Sequence, residues 1–321
     1  MNTKISEYMD INRIEFIITY QCGGACKHCQ IGRSINKKSI PHHVLAEYAV
    51  EAIEKLSTVF NITSILTFGG EPLYYPDVVT AIHKKATDCG IETRTLITNG
   101  YFTNSAEKSK SVARSLADAG VNRLMLSVDS LHQEKIPIEP VHRFAADIVE
   151  AKIPNAFLYP AWVVDKEHDN PYNVKTREVL ERFSDLAIPV SDEGGVSLTG
   201  DAVQYLAEYF PEEKPLNRTD PSLAEPCDSP LNVGTLGINP NGDVKICGFT
   251  IGNIYTEDIL DIVRRYNPYE NEAMAAIMNG GIAELLSYTE KQGVNFDISK
   301  YYSGCWDACC AISECLTACK N

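Results

Sequence analysis

A chain of 321 residues with 44% hydrophobic and 22% charged content is a globular protein, neither disordered nor fibrous, and long enough to bury a sizeable core without a disulfide or metal staple. Its 29 basic against 43 acidic residues leave a formal charge of −14, which argues against nucleic acid and anionic membranes as partners. The first residues lack a basic stretch followed by an apolar core, and no apolar run approaches a membrane span, so a cytoplasmic location is expected.

In chain order, strand-like segments at residues 13–20, 61–68, 93–98, 122–128 and 156–164 alternate with helix-like segments at 44–56, 77–87, 105–119, 142–151 and 176–186. A weaker sixth strand falls at 196–198. Repeated βα units imply an α/β fold with a parallel sheet and right-handed crossovers, either doubly wound or closed toward a barrel. In both, chemistry belongs in loops at the carboxyl ends of the strands. Pro211, Pro215, Pro221, Pro226 and Pro230 then punctuate a polar stretch. Beyond it, Pro240-Asn241-Gly242-Asp243 signals a hairpin between segments 235–239 and 244–248. Helical patterns at 257–266 and 270–290 precede a cysteine-dense tail. The expected division is 1–210, a linker at 211–226, and 227–321.

Eleven cysteines in a chain read as reduced and leaderless point to metal ligation rather than disulfides. Cys22, Cys26 and Cys29 follow the first strand. Three thiolates on one short loop suit one corner of a 4Fe–4S cube and leave one iron open to a small molecule, whereas a structural zinc site closes with a fourth protein ligand. Cys89, alone at a helix end, reads as an inert thiol.

The spacing Cys22-x3-Cys26-x2-Cys29 after the first strand resembles the signature of the radical S-adenosylmethionine (SAM) superfamily. The resemblance implies a partial (β/α)6 barrel, one 4Fe–4S cluster on the three cysteines, and reductive cleavage of SAM to a 5′-deoxyadenosyl radical that abstracts a substrate hydrogen. It implies an external electron donor such as flavodoxin or ferredoxin. Gly69, Gly70 and Glu71 resemble the family segment that holds the SAM amino group. Asn99 and Ser127, ending the third and fourth strands, match family SAM contacts. Arg143 is a candidate for the SAM carboxylate, and His28 fills the slot of an aromatic beside the adenine.

The last third resembles the SPASM/twitch auxiliary-cluster domain. Cys227 and Cys247 flank Gly242, and Cys305, Cys309, Cys315 and Cys319 follow, with Cys310 an extra neighbour. The resemblance implies one or two auxiliary 4Fe–4S clusters. Seven cysteines fall one short of two fully thiolate-ligated clusters, so an open or non-cysteine ligand, a single cluster with spare thiols, and a redox-active thiol all stay open. Related enzymes mostly modify peptides, so the leading expectation is a peptide substrate undergoing epimerisation, thioether formation or carbon–carbon crosslinking. In an epimerisation, Cys310 would be the catalytic hydrogen donor. The alternatives are a small-molecule radical SAM enzyme, anaerobic sulfatase maturation, and a non-catalytic iron–sulfur carrier. Phe157, Tyr159 and Trp162 are candidate cavity aromatics.

Overall fold

A computed structural model describes residues 5–30, 43–218, 229–302 and 305–318, the last segment without the side chains of 305–307 and 317–318. Cys227 and Cys319 and the side chain of Cys305 therefore lie outside the described residues, as does much of the 211–226 linker.

Strand β1 (Met9–Thr19) is followed by α1 (Ala46–Ser57), β2 (Ser64–Gly69), α2 (Pro76–Asp88), β3 (Thr93–Thr98), α3 (Ala106–Asp118) and β4 (Arg123–Leu126). The short α4 (Ser130–Gln133) and α5 (Ile138–Glu150) lead to β5 (Ala156–Leu158), α6 (Pro171–Glu181) and α7 (Asp201–Leu206). Each of β1 to β4 pairs in parallel with the strand after it, giving the expected α/β partial barrel. Ile14, Phe16, Ile18, Ile65, Leu96, Leu124 and Leu126 alternate along the strands and are buried in one apolar core with the helices. Thr67 marks the same face, its hydroxyl 2.8 Å from Nε2 of the buried His83 in α2. The register places Ile17 beside Phe68, and Met125 between Ile97 and Phe157, on the opposite, concave face.

Two expected strands shrink. Segment 156–164 is extended only to Leu158, because Pro160 lacks a ladder donor and Val164 takes a left-handed φ of 72°. The sixth strand at 196–198 does not form. Its neighbourhood contributes two isolated parallel bridges, Leu158 to Val190 and Trp162 to Gly195, interrupted by Gly194 at φ 120°. Helix α6 begins earlier than its apolar spacing suggests, because Asn170 caps the N–H groups of Tyr172 and Asn173 and Pro171 opens the helix.

The sheet grows at its other edge. Strand β6 (Val233–Ile238) pairs in parallel with β1, and the antiparallel hairpin β7 (Asp243–Ile246) and β8 (Phe249–Asn253) extends it. The result is one eight-stranded sheet in the order β5-β4-β3-β2-β1-β6-β7-β8. Helices α8 (Ile259–Arg264), α9 (Glu272–Lys291) and α10 (Cys305–Ala318) follow. Helix α9 is two helices, since Gly280 and Gly281 are non-helical inside it. Tyr288 Oη donates to Glu272 Oε2 at 3.0 Å, whereas 16 residues of straight helix would separate them by about 24 Å. The halves fold back on each other. Among the described residues, no helix is long and apolar enough to cross a membrane.

Candidate radical SAM centre

The loop leaving β1 carries Cys22, Cys26 and Cys29 at the carboxyl edge of the parallel sheet. A Cβ added at Gly24 would fall 3.3 Å from Cys26 Sγ and 3.4 Å from Cys22 Sγ, so the missing side chain is what lets the two thiols share that space. Gly24 N–H donates to Cys22 Sγ at 3.3 Å, and Cys29 N–H donates to Cys26 O at 3.2 Å. Among the described residues, no three ligating side chains converge on a point for a single metal ion. A cube whose irons each take one thiolate spaces its ligands more widely than one ion does, and three cysteines on one loop, two of them around Gly24, fit that demand.

Four neighbouring segments hold this loop. Gly70 N–H donates to Thr19 O and Glu71 N–H to Gln21 O, both at 2.7 Å. A Cβ at Gly70 would sit 2.1 Å from Gln21 O, so only glycine allows that approach. Lys27 Nζ donates to Glu134 Oε1 and Tyr172 Oη, both at 2.9 Å, and those two bonds push its pKa up to about 12. Asp201 N–H, at the start of α7, donates to Cys29 O at 3.1 Å. His28 meets His132 edge to face at 4.7 Å between ring centres.

The Glu71 carboxylate lies between the turns that follow β2 and β3. It is fully buried, with Oε1 accepting from Leu73 N–H at 2.8 Å and Thr98 Oγ1–H at 2.7 Å, and Oε2 accepting Asn99 N–H at 2.9 Å. Burial raises its pKa to about 7 against the pull of those donors. Both oxygens staple the turn after β3 to the turn after β2. Gly69, at φ 138°, and Gly70 remain at the sheet edge beside the triad.

Asn99 is 7% exposed and reaches back to the triad, its Nδ2 3.4 Å from Cys22 Sγ. Ser127 is buried at the end of β4, its N–H donating to Thr98 O at 2.9 Å. Arg143 stands apart from these groups. Its Nη2 donates to Asn104 O at 3.1 Å, and its charge acts on Glu107, so it braces the start of α3 rather than reaching the triad.

Sequence reasoning missed the support beneath His28. Asp129 is completely buried, accepting His132 N–H at 2.9 Å on Oδ1, and His132 Nδ1–H at 2.7 Å and Ala161 N–H at 3.0 Å on Oδ2. Burial acts to raise its pKa, but the His132 charge and hydrogen bond, His28 and the Ala161 N–H together hold it at about 2. Burial and repulsion from His132 lower the His28 pKa to about 4, so His28 is neutral, and its buried Nδ1 has no partner among the described residues. The signal was available: an aspartate at N-cap spacing before a histidine, directly after a strand.

The C-terminal cysteines are placed only in part. Helix α10 turns about 100° per residue, so Cys309, Cys310 and Cys315 point in three directions. Cys309 is buried in the core, and Cys310 packs on the β7–β8 turn, where a Cβ at Gly248 would lie 2.8 Å from its sulfur. Cys247 forms that turn with a left-handed φ of 48°. Tyr20, just before the triad, has Glu314, Asp243 and Cys310 as electrostatic neighbours, and burial pushes its hydroxyl pKa up. Of the three candidate aromatics, Phe157 lies under Arg123 at 5.4 Å, Tyr159 packs against Gly194, and the buried Trp162 has an Nε1 without a partner among the described residues.

Residues 16–153 match the family model described as the Radical SAM superfamily, a span that contains the triad, Glu71, Asn99 and Ser127. The likeness to that superfamily is thus carried by this segment, under half of the chain. Curated relatives match over 39% of the chain. A GTP 3′,8-cyclase of Moorella thermoacetica is 29% identical over 125 residues, covering 39% of this chain and 36% of that protein. A probable GTP 3′,8-cyclase of Methanocaldococcus jannaschii is 33% identical over 126 residues, covering 39% of each. The matches thus span well under half the length of these relatives. Among solved structures, BtrN in complex with AdoMet and 2-DOIA aligns with a TM-score of 0.49 and 15% identity, covering 92% of this chain and 93% of that one. Native anSMEcpe with bound AdoMet aligns with a TM-score of 0.49 and 15% identity, covering 79% and 80%.

Proposed function

We propose that this protein is a SAM-cleaving radical enzyme that removes a hydrogen atom from a peptide substrate. The observation that carries the SAM chemistry is the loop of Cys22, Cys26 and Cys29 at the carboxyl edge of the parallel sheet, with Cys22 and Cys26 packed around Gly24. When bound there, a 4Fe–4S cluster with SAM supplies reductive cleavage to a 5′-deoxyadenosyl radical. Cys22, Cys26 and Cys29 would hold three irons, His28 is part of their loop, Gly70 and Asn99 touch it, and Gly69 and Ser127 would complete the lining for SAM. The concave face beneath carries Ile17, Phe68, Ile97, Met125 and Phe157, an apolar layer suited to shielding a carbon radical from water.

The peptide assignment rests on the resemblance of the cysteine-rich tail to auxiliary-cluster domains and on the acidic surface, which suits a basic peptide. Cys247 and Cys310 around the β7–β8 turn are the described residues best placed to contribute to one auxiliary cluster, with Cys227, Cys305 and Cys319 as further ligands. Cys310 as hydrogen donor in an epimerisation competes with that role. A second reading, a small nucleotide substrate, draws on the GTP 3′,8-cyclase names of the curated relatives.

Anaerobic incubation of reconstituted protein with SAM and dithionite tests the first half. 5′-Deoxyadenosine should form, and should vanish in the Cys22/Cys26/Cys29→Ala variant. Deuterium transfer into 5′-deoxyadenosine from a deuterated peptide library, but not from deuterated GTP, supports the peptide reading. The reverse pattern replaces it with the nucleotide one.

A further inference from the structure

We propose that Asn99 is a positioning residue that hydrogen-bonds the cluster ligand Cys22 through its side-chain amide and thereby raises the reduction potential of the cluster, a role that rests on the radical SAM reading above. The amide has one defensible orientation. Asn99 Oδ1 accepts the Tyr101 N–H at 2.8 Å, which leaves Nδ2 as the atom 3.4 Å from Cys22 Sγ.

The backbone under that side chain is pinned as well. Asn99 N–H donates to Glu71 Oε2, and Gly100 N–H donates to Thr98 Oγ1 at 3.0 Å. Thr98 Oγ1 in turn donates to Glu71 Oε1. Gly100 holds the turn at φ 73°, where a Cβ would meet Leu126 at 2.7 Å. The buried Glu71 carboxylate therefore templates the whole turn and aims the amide at the sulfur.

Cys22 Sγ consequently receives two N–H donors, Gly24 and Asn99. Cys26 instead has the Asp129 and Glu134 carboxylates among its electrostatic neighbours. Both of these donors thus fall on the first thiol of the triad. Donors on a ligand sulfur withdraw charge and stabilise the reduced, more negative cluster. Of the two donors, only the Asn99 side chain can be altered without changing the loop itself.

The test is an EPR-monitored redox titration of the reconstituted full chain without SAM. It follows the iron signal that responds to later SAM addition and is missing from the Cys22/Cys26/Cys29→Ala variant. Asn99→Asp keeps the acceptor for Tyr101 N–H and replaces the donor with an anionic oxygen; Asn99→Ala removes both. At a fixed potential, the reduced-to-oxidised ratio should fall about tenfold in Asn99→Asp, equivalent to about 59 mV for a one-electron couple. Asn99→Ala should shift the same way by less. Unchanged midpoints with iron retained would overturn the proposal, as would shifts that appear only with SAM, which would make Asn99 a SAM contact. Loss of triad iron from both variants would also overturn it, since Asn99 would then build the loop rather than tune the sulfur. If the triple-alanine variant keeps all the wild-type iron, the radical SAM reading itself falls, and the proposal with it.

Discussion

Glu71 and Asn99 are joined by a 2.9 Å bond from the Asn99 backbone N–H to a carboxylate with no solvent exposure. Through it, the turn after β2 and the turn after β3 are one unit, and the cysteine loop rests on both. Replacing Glu71 by Gln keeps one oxygen for Leu73 and Thr98 but turns an NH2 toward the Asn99 N–H. Two buried donors then face each other, and stability should fall by about 1–3 kcal/mol. Urea unfolding of the apoprotein measures this. An unchanged midpoint would mean that the carboxylate is not the staple its contacts describe.

The cradle at Gly24 can be tested separately from global stability. A methyl group there would press on the Cys22 and Cys26 sulfurs at 3.4 and 3.3 Å, whereas a methyl at Gly195 meets nothing within 4 Å. Gly24→Ala should unfold within about 0.5 kcal/mol of wild type. It should nonetheless retain less triad iron after reconstitution, while Gly195→Ala matches wild type in both. Equal iron in the three proteins would remove Gly24 from the metal site.

His83 predicts an acid-labile core. Burial, with a smaller contribution from Arg94, lowers its pKa to about 3 from the ordinary value of 6.5. The folded state therefore binds a proton less readily than the unfolded chain. Its contribution to stability is intact above about pH 6.5 and erodes by about 1.4 kcal/mol per pH unit as pH falls toward 3. His83→Leu loses the Thr67 bond and should be less stable than wild type at pH 7.5, but its stability should decline less steeply between pH 6.5 and 4.5. Parallel acid limbs would show that His83 is charged in the fold.

Local signals carried much of this molecule into view. The alternation of β1 to β5 with their helices is written in short-range periodicity, and the triad at the end of β1 is a contiguous motif. What escaped was nonlocal or conformational. The pairing of Arg13 in β1 with Thr235 in β6 spans more than two hundred residues, and no pattern within either strand announces it. The inward turn of Glu71 depends on donors from Thr98 and Asn99, and the brace of Arg143 depends on where the loop around Asn104 passes. The missing sixth strand is different in kind, because Pro189 and the Gly194–Gly195 pair stood beside it as readable warnings.

Helix α9 offers a test in which propensity and structure predict opposite signs. Read as one continuous helix, its Gly280–Gly281 pair is a weakness, and two alanines should stabilise it by about 1 kcal/mol each. In the fold these glycines make the reversal that lets Tyr288 reach Glu272. Gly281 stands at φ 62° and ψ −155°, a region that residues with a Cβ scarcely occupy, and a Cβ at Gly280 would lie 2.8 Å from Glu284 Cβ. Gly281→Ala should therefore destabilise the protein by about 1–3 kcal/mol, even as it raises the helix content of the isolated 272–291 peptide. Tyr288→Phe, which removes only the hydroxyl bond to Glu272, should cost about 1 kcal/mol or less. A Gly281→Ala protein more stable than wild type would mean that α9 runs straight, and that the contact between its two ends does not exist in solution.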